Sequence, residues 1–215
     1  MNIIFICQVV DENHPIQATT VQWIRVLAKQ SIIERVDVLA LRIGRFSLPD
    51  NVFVHVIGRE NRLATVIAFY RHAFTLGLKK NTVFFVYQNG PYPLLLLPIR
   101  LLLGKKVFQW LAHPHNSWMT RLNAHFGTTK IFTSTASAFP LQISHRIALG
   151  QGVNLERFYP RPGNINYDLI TVGRITPVKN LSLIIKSLAW CRDNYGVYYR
   201  LAIVGAVSYT HLRAH

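Results

Sequence analysis

The sequence predicts an α/β protein built on a parallel sheet. Apolar runs rich in β-branched residues alternate with segments in which apolar residues recur at helical spacing. Of the 215 residues, 50% are hydrophobic and 15% are charged, which is enough apolar sequence to bury a sizeable core. Strands that alternate with helices have both faces of their sheet covered, and such sheets bind ligands at the carboxyl ends of their strands.

The predicted elements follow in order along the chain. The first helix is expected to be capped by Thr20, and the stretch after the Asn89-Gly90-Pro91 turn is expected to be a short buried helix. Strands are predicted at residues 2–10, 36–42, 52–58, 82–88, 106–112, 130–134, 168–174 and 200–204. Longer helices are predicted over about residues 20–30, 60–78 and 181–188. In the second of these, one apolar face is expected from Leu63, Val66, Ile67, Tyr70 and Phe74.

Two domains are expected, because one domain takes about 150 residues. Glycine- and proline-rich segments at residues 150–152 and 160–163 are typical of a linker. We predict an N-terminal domain over residues 1–160 and the start of a second α/β domain over residues 161–205. A single β-α-β unit cannot cover its own sheet, so this second part is expected to be poorly packed. The last segment, residues 206–215 with the sequence AVSYTHLRAH, is expected to be non-native.

The charge is strongly positive and unevenly distributed. The chain has 24 Lys and Arg against nine Asp and Glu, a formal net charge of +15, and no acidic residue between Glu60 and Glu156. That interval can supply no carboxylate base and no carboxylate metal ligand. The charge indicates a phosphate, anionic lipid or nucleic acid partner. The basic helix predicted over residues 60–80 is either a solvated face or a surface that docks on an anionic membrane.

Cysteine and hydropathy patterns favour a cytoplasmic location. Cys7 and Cys191 both lie in apolar runs and are expected to be reduced thiols. The apolar stretch over residues 94–103 contains Pro98 and Arg100 and falls short of the ~18 residues of a membrane span. Residues 1–10 lack the basic start of a signal peptide. We therefore expect a cytoplasmic protein, either free or peripheral on the inner face of the plasma membrane.

The segment over residues 168–188 combines the groups that bind a diphosphate. Its sequence, DLITVGRITPVKNLSLIIKSL, ends a predicted strand at Gly173 and Arg174 and places Lys179 just before a predicted helix. The first turn of a helix has free N–H groups and a positive dipole end, which favour an anion. A guanidinium and an ammonium beside them would complete a diphosphate site. The alternative is that both are ordinary surface charges on a loop.

A second set of polar residues follows other predicted strands. His113 ends the fifth strand, Ser134 ends the sixth, and Asn13 and His14 follow the first. We predict His113 as a catalytic residue and the other three as substrate contacts; the alternatives are a packed histidine and ordinary turn residues. His113 and His115 could start a metal site, but the acid-free interval offers no further ligand nearby, so no metal is predicted.

Three segments resemble the family 4 retaining glycosyltransferases, which have the GT-B fold of two Rossmann-like domains. The first, IALGQGVNLERFYP over residues 147–160, resembles the interdomain stretch of that family. The second, VGRITPVK over residues 172–179, resembles its diphosphate loop, and the third, LAIVG over residues 201–205, resembles the next strand.

The resemblance implies transfer of a sugar from a nucleotide-diphosphate sugar to a glycan or lipid-linked acceptor in cell-surface polysaccharide or glycolipid synthesis. It implies that Arg174 and Lys179 stabilise the departing diphosphate without a metal, that His113 faces the transferred sugar, and that no cofactor is needed. The absence of an Asp-x-Asp motif agrees with metal independence. The chain departs from the family in lacking glycines over residues 11–17 and in lacking the later glutamate pair. We therefore expect a truncated fragment that is inactive alone.

Two other functions compete with this interpretation. The first is a basic module that binds a membrane or nucleic acid without catalysis, although no nucleic-acid recognition motif occurs in the sequence. The second is a nucleotide-sugar epimerase on the same scaffold, because a fold does not fix a function. A dinucleotide oxidoreductase and a P-loop enzyme are disfavoured, since neither glycine-rich motif is present.

Overall fold

The structure is a computed structural model of the chain. It describes residues 1–88, 90–113, 116–153, 155, 159, 163 and 166–205. The contacts within the chain divide it into two units, Met1–Gly152 and Val153–His215. The domain boundary predicted at residues 160 and 161 and the predicted non-native tail both lie outside the described residues.

The first unit is a seven-stranded sheet in which every neighbouring pair of strands is parallel. This confirms the predicted α/β class. The last strand was not predicted, because three residues are too few to show a pattern. The strands are β1 (Asn2–Val10), β2 (Arg35–Ile43), β3 (Val52–Val56), β4 (Thr82–Tyr87), β5 (Val107–Trp110), β6 (Lys130–Thr133) and β7 (Arg146–Ala148).

Helices cover both faces of this sheet. One face packs on α1 (Thr19–Ala28), and the other packs on three helices: α2 (Arg62–Gly77), α3 (Tyr92–Leu95) and α4 (Leu97–Leu103). A further short helix, α5 (Trp118–Leu122), leads into the π-helical turn Asn123–Gly127, which contacts α3. Phe5 on the α1 side and Ile4 on the other are both buried, so β1 is covered on both faces. Burying one such side chain contributes about 1.5–3 kcal/mol, which makes this double layer the core of the unit.

The start of α1 differs from the prediction. The helix begins at Thr19, the N-cap position is Ala18, and no described side chain caps the first turn. Thr20 lies inside the helix and is buried instead of capping it. Val21 and Ile24 are buried, because they lie on the face of the helix that packs on the sheet.

The buried face of α2 also differs from the prediction. Asn61 caps the helix, its side-chain oxygen accepting the Ala64 N–H at 2.8 Å. The residues that pack on the sheet are Phe69, Ala73, Leu76 and Gly77, whereas the following predicted core residues are exposed: Leu63, Ile67 and Phe74. A Cβ at Gly77 would lie only 3.2 Å from Cζ of Phe84, so the small residues let this side of the helix come close to the sheet.

The leucine-rich stretch forms two short helices, α3 and α4, instead of one buried helix. Leu96 and Ile99 are buried, but Leu101 and Leu102 point away from the core. The helix ends at Gly104, whose positive φ of 62° suits glycine. Helix α5 and the π-helical turn Asn123–Gly127 that continues it were not predicted.

The order of strands places a switch point at the centre of the sheet. From β1 the chain adds β2 and β3 on one side, and from β4 it adds β5, β6 and β7 on the other. Strands β1 and β4 are neighbours, with Ile6 beside Val86. In open parallel sheets, the crevice at the carboxyl ends of two such strands is where ligands bind.

The second unit contains the predicted β-α-β segment. Strands β8 (Leu169–Val172) and β9 (Leu201–Val204) are parallel, and α6 (Leu181–Tyr195) connects them. None of its described residues is buried. Asp168 and Arg200 join the starts of the two strands through an ion pair of 3.3 Å.

Candidate functional site

The polar residues predicted in the first unit all lie at the carboxyl edge of its sheet. Asn13 and His14 follow β1, His113 follows β5, and Ser134 follows β6. Neighbouring strands lie about 4.8 Å apart, so His113 is one strand away from Ser134 and two strands away from the loop after β1. The structure therefore brings these residues to one edge, on both sides of the switch point.

The loop after β1 is shaped by its own side chains. Asp11 Oδ1 accepts the Asn13 N–H at 3.0 Å, which closes a tight turn. His14 Nδ1 accepts the N–H groups of Ile16 at 3.2 Å and Gln17 at 3.0 Å. When the ring is neutral its proton is therefore on Nε2. His14 thus has a structural role in the turn, and its contact with a substrate stays a prediction.

A set of contacts that the sequence did not reveal ties this loop to the one after β2. Glu12 accepts the Ser47 N–H at 2.9 Å and forms an ion pair with Arg25 of α1. A Cβ at Gly44 would lie 2.3 Å from the Asp11 carboxyl group, so only glycine fits there. The loop after β1 lacks glycines over residues 11–17, and charged contacts fix it in place.

His113 and Ser134 differ in exposure. His113 is exposed, whereas Ser134 is half-buried and its backbone carbonyl accepts the Gly150 N–H at 3.0 Å. An exposed imidazole at a strand end can meet a ligand, while Ser134 is held by the chain that leaves the sheet. His115, the other histidine considered as a metal ligand, lies outside the described residues.

Buried polar side chains lie just below this edge. Gln109 in β5 and Thr133 in β6 are fully buried, and their side-chain polar atoms have no hydrogen-bond partner among the described residues. Asn123 donates to the Gly90 carbonyl at 2.6 Å, while its Oδ1 has no described partner. A glutamine inside the apolar run VFQW is the sequence feature that could have drawn attention to this group.

In the second unit, the predicted diphosphate residues meet at the end of β8. The side chain of Lys179 folds over Gly173, so that a Cβ on the glycine would lie 3.3 Å from Cε and 3.9 Å from Nζ of the lysine. Arg174 is the next residue, and both cations are exposed. The structure therefore brings all three predicted residues together.

The surroundings of these cations favour an anion. Of the described residues, none forms an ion pair with Arg174 or Lys179. Within residues 166–205, no side chain caps α6 and no acidic residue lies in its first turn. The first N–H groups of α6 and its dipole add to the field of the two cations. The arrangement can bind a phosphate or diphosphate without a metal ion.

A second glycine contributes to this loop. A Cβ at Gly205 would lie 1.8 Å from the carbonyl oxygen of Gly173, so the ends of β8 and β9 touch through their backbones. The Gly173 N–H also donates to the Val204 carbonyl at 2.9 Å. Gly205 therefore supports the position of Gly173, a role that the sequence motif alone did not reveal.

The structure also bears on metal binding, membrane spanning and thiol reactivity. Among the described residues, no cluster of three or more His, Cys, Asp or Glu could hold a metal ion. No helix in the described part of the chain combines the length and apolarity needed to cross a membrane. Both cysteines are free, and burial raises the pKa of Cys7 to about 12, so this thiol is unreactive at neutral pH.

Comparison with known proteins identifies the fold. No protein-family model and no curated protein sequence matches the chain. Among solved structures, it is similar to HepE from Anabaena in complex with UDP-glucose, with a TM-score of 0.58 and 10% identity over 97% of this chain and 70% of that one. It is also similar to the lipopolysaccharide outer core galactosyltransferase WaaB, with a TM-score of 0.58 and 13% identity over 97% of this chain and 69% of WaaB.

A third match is a sugar-nucleotide enzyme of another class. The UDP-GlcNAc 2-epimerase from Methanocaldococcus jannaschii has a TM-score of 0.52 and 14% identity over 97% of this chain and 74% of that one. At these identities the likeness concerns the fold. The chain therefore has a Rossmann-like α/β fold of the GT-B type, as its sequence predicted.

Proposed function

We propose that the protein is a family 4 retaining glycosyltransferase that moves a sugar from a nucleotide-diphosphate donor to a glycan or lipid-linked acceptor. The observation that carries the proposal is the placement of Lys179 over Gly173, beside Arg174 and the open end of α6. HepE, which has a similar fold, was crystallised with UDP-glucose and with UDP, which supports a nucleotide-sugar donor. The proposed setting is cell-surface polysaccharide or glycolipid synthesis at the cytoplasmic side of the membrane.

The proposed chemistry needs cations rather than a metal or a cofactor. As the bond between sugar and diphosphate breaks, negative charge grows on the leaving phosphate. Arg174 and Lys179 interact more strongly with that charge in the transition state than in the bound donor, which is the condition for catalysis. Arginine supplies a planar fork for two phosphate oxygens, and lysine supplies a compact charge that can follow the leaving group.

The first unit supplies the acceptor side in this proposal. We propose that His113 contacts the transferred sugar, because its side chain is exposed at the end of β5. Asn13, His14 and Ser134 are proposed as further substrate contacts, since they lie at the same edge of the sheet.

We also propose that the activity of this chain is low. A two-stranded sheet with one helix and no buried described residue is less than a stable nucleotide-binding domain requires. The chain spans about 70% of the HepE chain in the UDP-glucose complex. Because the described part of the second unit buries no residue, we expect weak nucleotide binding and slow turnover.

Calorimetric titration of the full chain with UDP tests the donor site. Each charged hydrogen bond to a phosphate contributes about 1.5–3 kcal/mol, so Arg174→Ala and Lys179→Ala should each weaken binding about tenfold or more. Gly173→Ala should weaken it too, because the new methyl group displaces Lys179. Lys186→Ala, an exposed lysine farther along α6, is the matched control. Equal binding by wild type and Arg174→Ala would contradict the proposal.

An epimerase remains the second candidate, because the fold also matches the UDP-GlcNAc 2-epimerase. The two reactions differ in their need for an acceptor. An epimerase converts one nucleotide sugar into another with no acceptor present, whereas a transferase releases the nucleoside diphosphate as the sugar moves. Chromatography of a nucleotide sugar incubated with the chain, with and without a glycan acceptor, separates them. A new nucleotide sugar formed without an acceptor would favour the epimerase.

A further inference from the structure

The segment formed by α5 and the π-helical turn after it carries an apolar stripe on its outer side. Trp118, Leu122 and Phe126 follow at intervals of four residues, and the exposed fractions of Trp118 and Phe126 are 68% and 56%. Thr120 and Ala124, on the inner side, are buried. The segment therefore buries its inner side and leaves most of Trp118 and Phe126 open to solvent.

This segment is fixed against the neighbouring helices. The Asn123 side chain donates to the Gly90 carbonyl at 2.6 Å, and a Cβ at Gly127 would lie 2.9 Å from the backbone of Pro93. The Arg100 guanidinium of α4 donates to the Phe126 carbonyl. The end of the stripe therefore lies beside α4, where Leu101 and Leu102 are 73% and 76% exposed. Leu101 and Leu102 therefore lie on a helix that contacts the end of the stripe.

The charges around this surface have one sign. Arg121 is exposed on α5 and its Nε donates to the Asn116 side chain at 2.9 Å. Arg71 and Ile67 are also exposed on α2, the helix that packs on α4. The sequence has no Asp or Glu over residues 61–155, which include every residue of this surface. A partner that fits must be apolar in part and negatively charged.

We propose that the outer face of α4, α5 and the π-helical turn docks on an anionic lipid bilayer. Trp118 and Phe126 would enter the boundary between headgroups and acyl chains, and Arg121 would meet lipid phosphate. Leu101 and Leu102 favour a bilayer over nucleic acid, because aliphatic side chains gain from acyl chains and have no stacking interaction with bases. The proposal concerns a different surface from the donor site and does not depend on sugar transfer.

Sedimentation of the full chain with lipid vesicles tests this surface. We expect binding to vesicles of equimolar phosphatidylcholine and phosphatidylglycerol, and much weaker binding to phosphatidylcholine alone. The double change Trp118→Ser and Phe126→Ser should weaken binding at least about tenfold, because two large apolar groups no longer leave water. Val26→Ser, an exposed apolar residue of α1 on the opposite face of the sheet, should leave binding unchanged.

Charge variants and a competitor complete the test. Arg121→Gln should weaken binding to the anionic vesicles about fivefold, whereas the exposed Lys29→Gln on the α1 side should not. Far-ultraviolet circular dichroism shows that each variant is folded. Wild-type binding by the Trp118/Phe126 double variant, or an equal loss in Val26→Ser, would overturn the proposal. Complete release from the vesicles by bulk nucleic acid together with unchanged binding of the double variant would assign the surface to nucleic acid instead.

Discussion

The two units use similar elements and differ in what those elements bury. In Met1–Gly152, seven strands have helices on both faces, and Phe5, Phe69 and Phe84 are fully enclosed. In Val153–His215, two strands and one helix have the same β-α-β order, yet none of the described residues is buried. Apolar sequence therefore forms a core only when enough strands and helices are present to cover it.

The comparison also separates two kinds of ionic contact. Asp37 in β2 is buried and accepts hydrogen bonds from Arg35 at 2.7 Å and from His55 at 2.9 Å. In the second unit, Asp168 with Arg200 and Asp193 with Arg192 form pairs on the surface. Water screens the surface pairs, so the buried group contributes more to the stability of its unit.

Hydrogen exchange on the full chain should show the largest contrast. Backbone amides of β1, β2 and β4 should exchange only when the whole unit unfolds. Those of β8, β9 and α6 have no buried core to protect them from exchange. We expect exchange to be at least about 10³-fold slower in the three strands of the first unit. Mass spectrometry of proteolytic peptides measures both groups in one sample. Equal protection of the β1 and β8 amides would contradict the predicted difference between the two units.

Substitution of one apolar side chain in each unit should give the next largest contrast. Phe69 is fully buried and packs edge-on against Tyr92, with ring centroids 4.9 Å apart. Phe69→Ala should lower the free energy of unfolding by about 3–5 kcal/mol, because it removes the ring and leaves a cavity. Leu183→Ala on the exposed side of α6 should change it by less than about 0.5 kcal/mol. Urea titrations followed by circular dichroism measure both, and a large effect of Leu183→Ala would show a core in the second unit.

The buried carboxylate gives the smallest and most specific contrast. Burial raises the pKa of Asp37, but the hydrogen bonds from Arg35 and His55, together with the positive charges of Arg35 and Lys79, outweigh burial and hold this pKa below its usual value. Asp37 therefore stabilises the fold above its unfolded pKa of about 3.9, and this contribution is lost as the pH falls through the lowered folded pKa. Asp37→Asn should cost about 2 kcal/mol at neutral pH, where the carboxylate accepts two hydrogen bonds from Arg35 and one from His55.

The pH dependence supplies the control for this prediction. The difference in unfolding free energy between wild type and Asp37→Asn should shrink as the pH is lowered, because the wild-type carboxyl group becomes neutral too. Asp193→Asn, which removes a surface partner of Arg192, should leave the stability unchanged across the same range. A difference that is constant with pH would show that Asp37 acts through its shape and not through its charge.

The sequence predicted the elements more accurately than their faces. Alternation of apolar runs and helical repeats located β1 to β6, because such patterns depend on neighbours along the chain. The same periodicity did not identify the buried face of α2, since Leu63 and Ile67 repeat at helical spacing just as Phe69 and Ala73 do. Contact with Phe84 at Gly77 decided between them, and that contact joins residues distant in sequence.

For the candidate site, the sequence was sufficient to predict which residues would come together at the end of β8. A glycine, an arginine and a lysine between a strand and a helix are enough to indicate an anion site, because the geometry of a strand-to-helix turn is local. The folded structure was needed to see that Lys179 lies over Gly173 and that Gly205 supports Gly173. It was also needed to see that Glu12 and Arg25 fix the loop after β1. These contacts join segments that the chain brings together only by folding, so no local pattern could encode them.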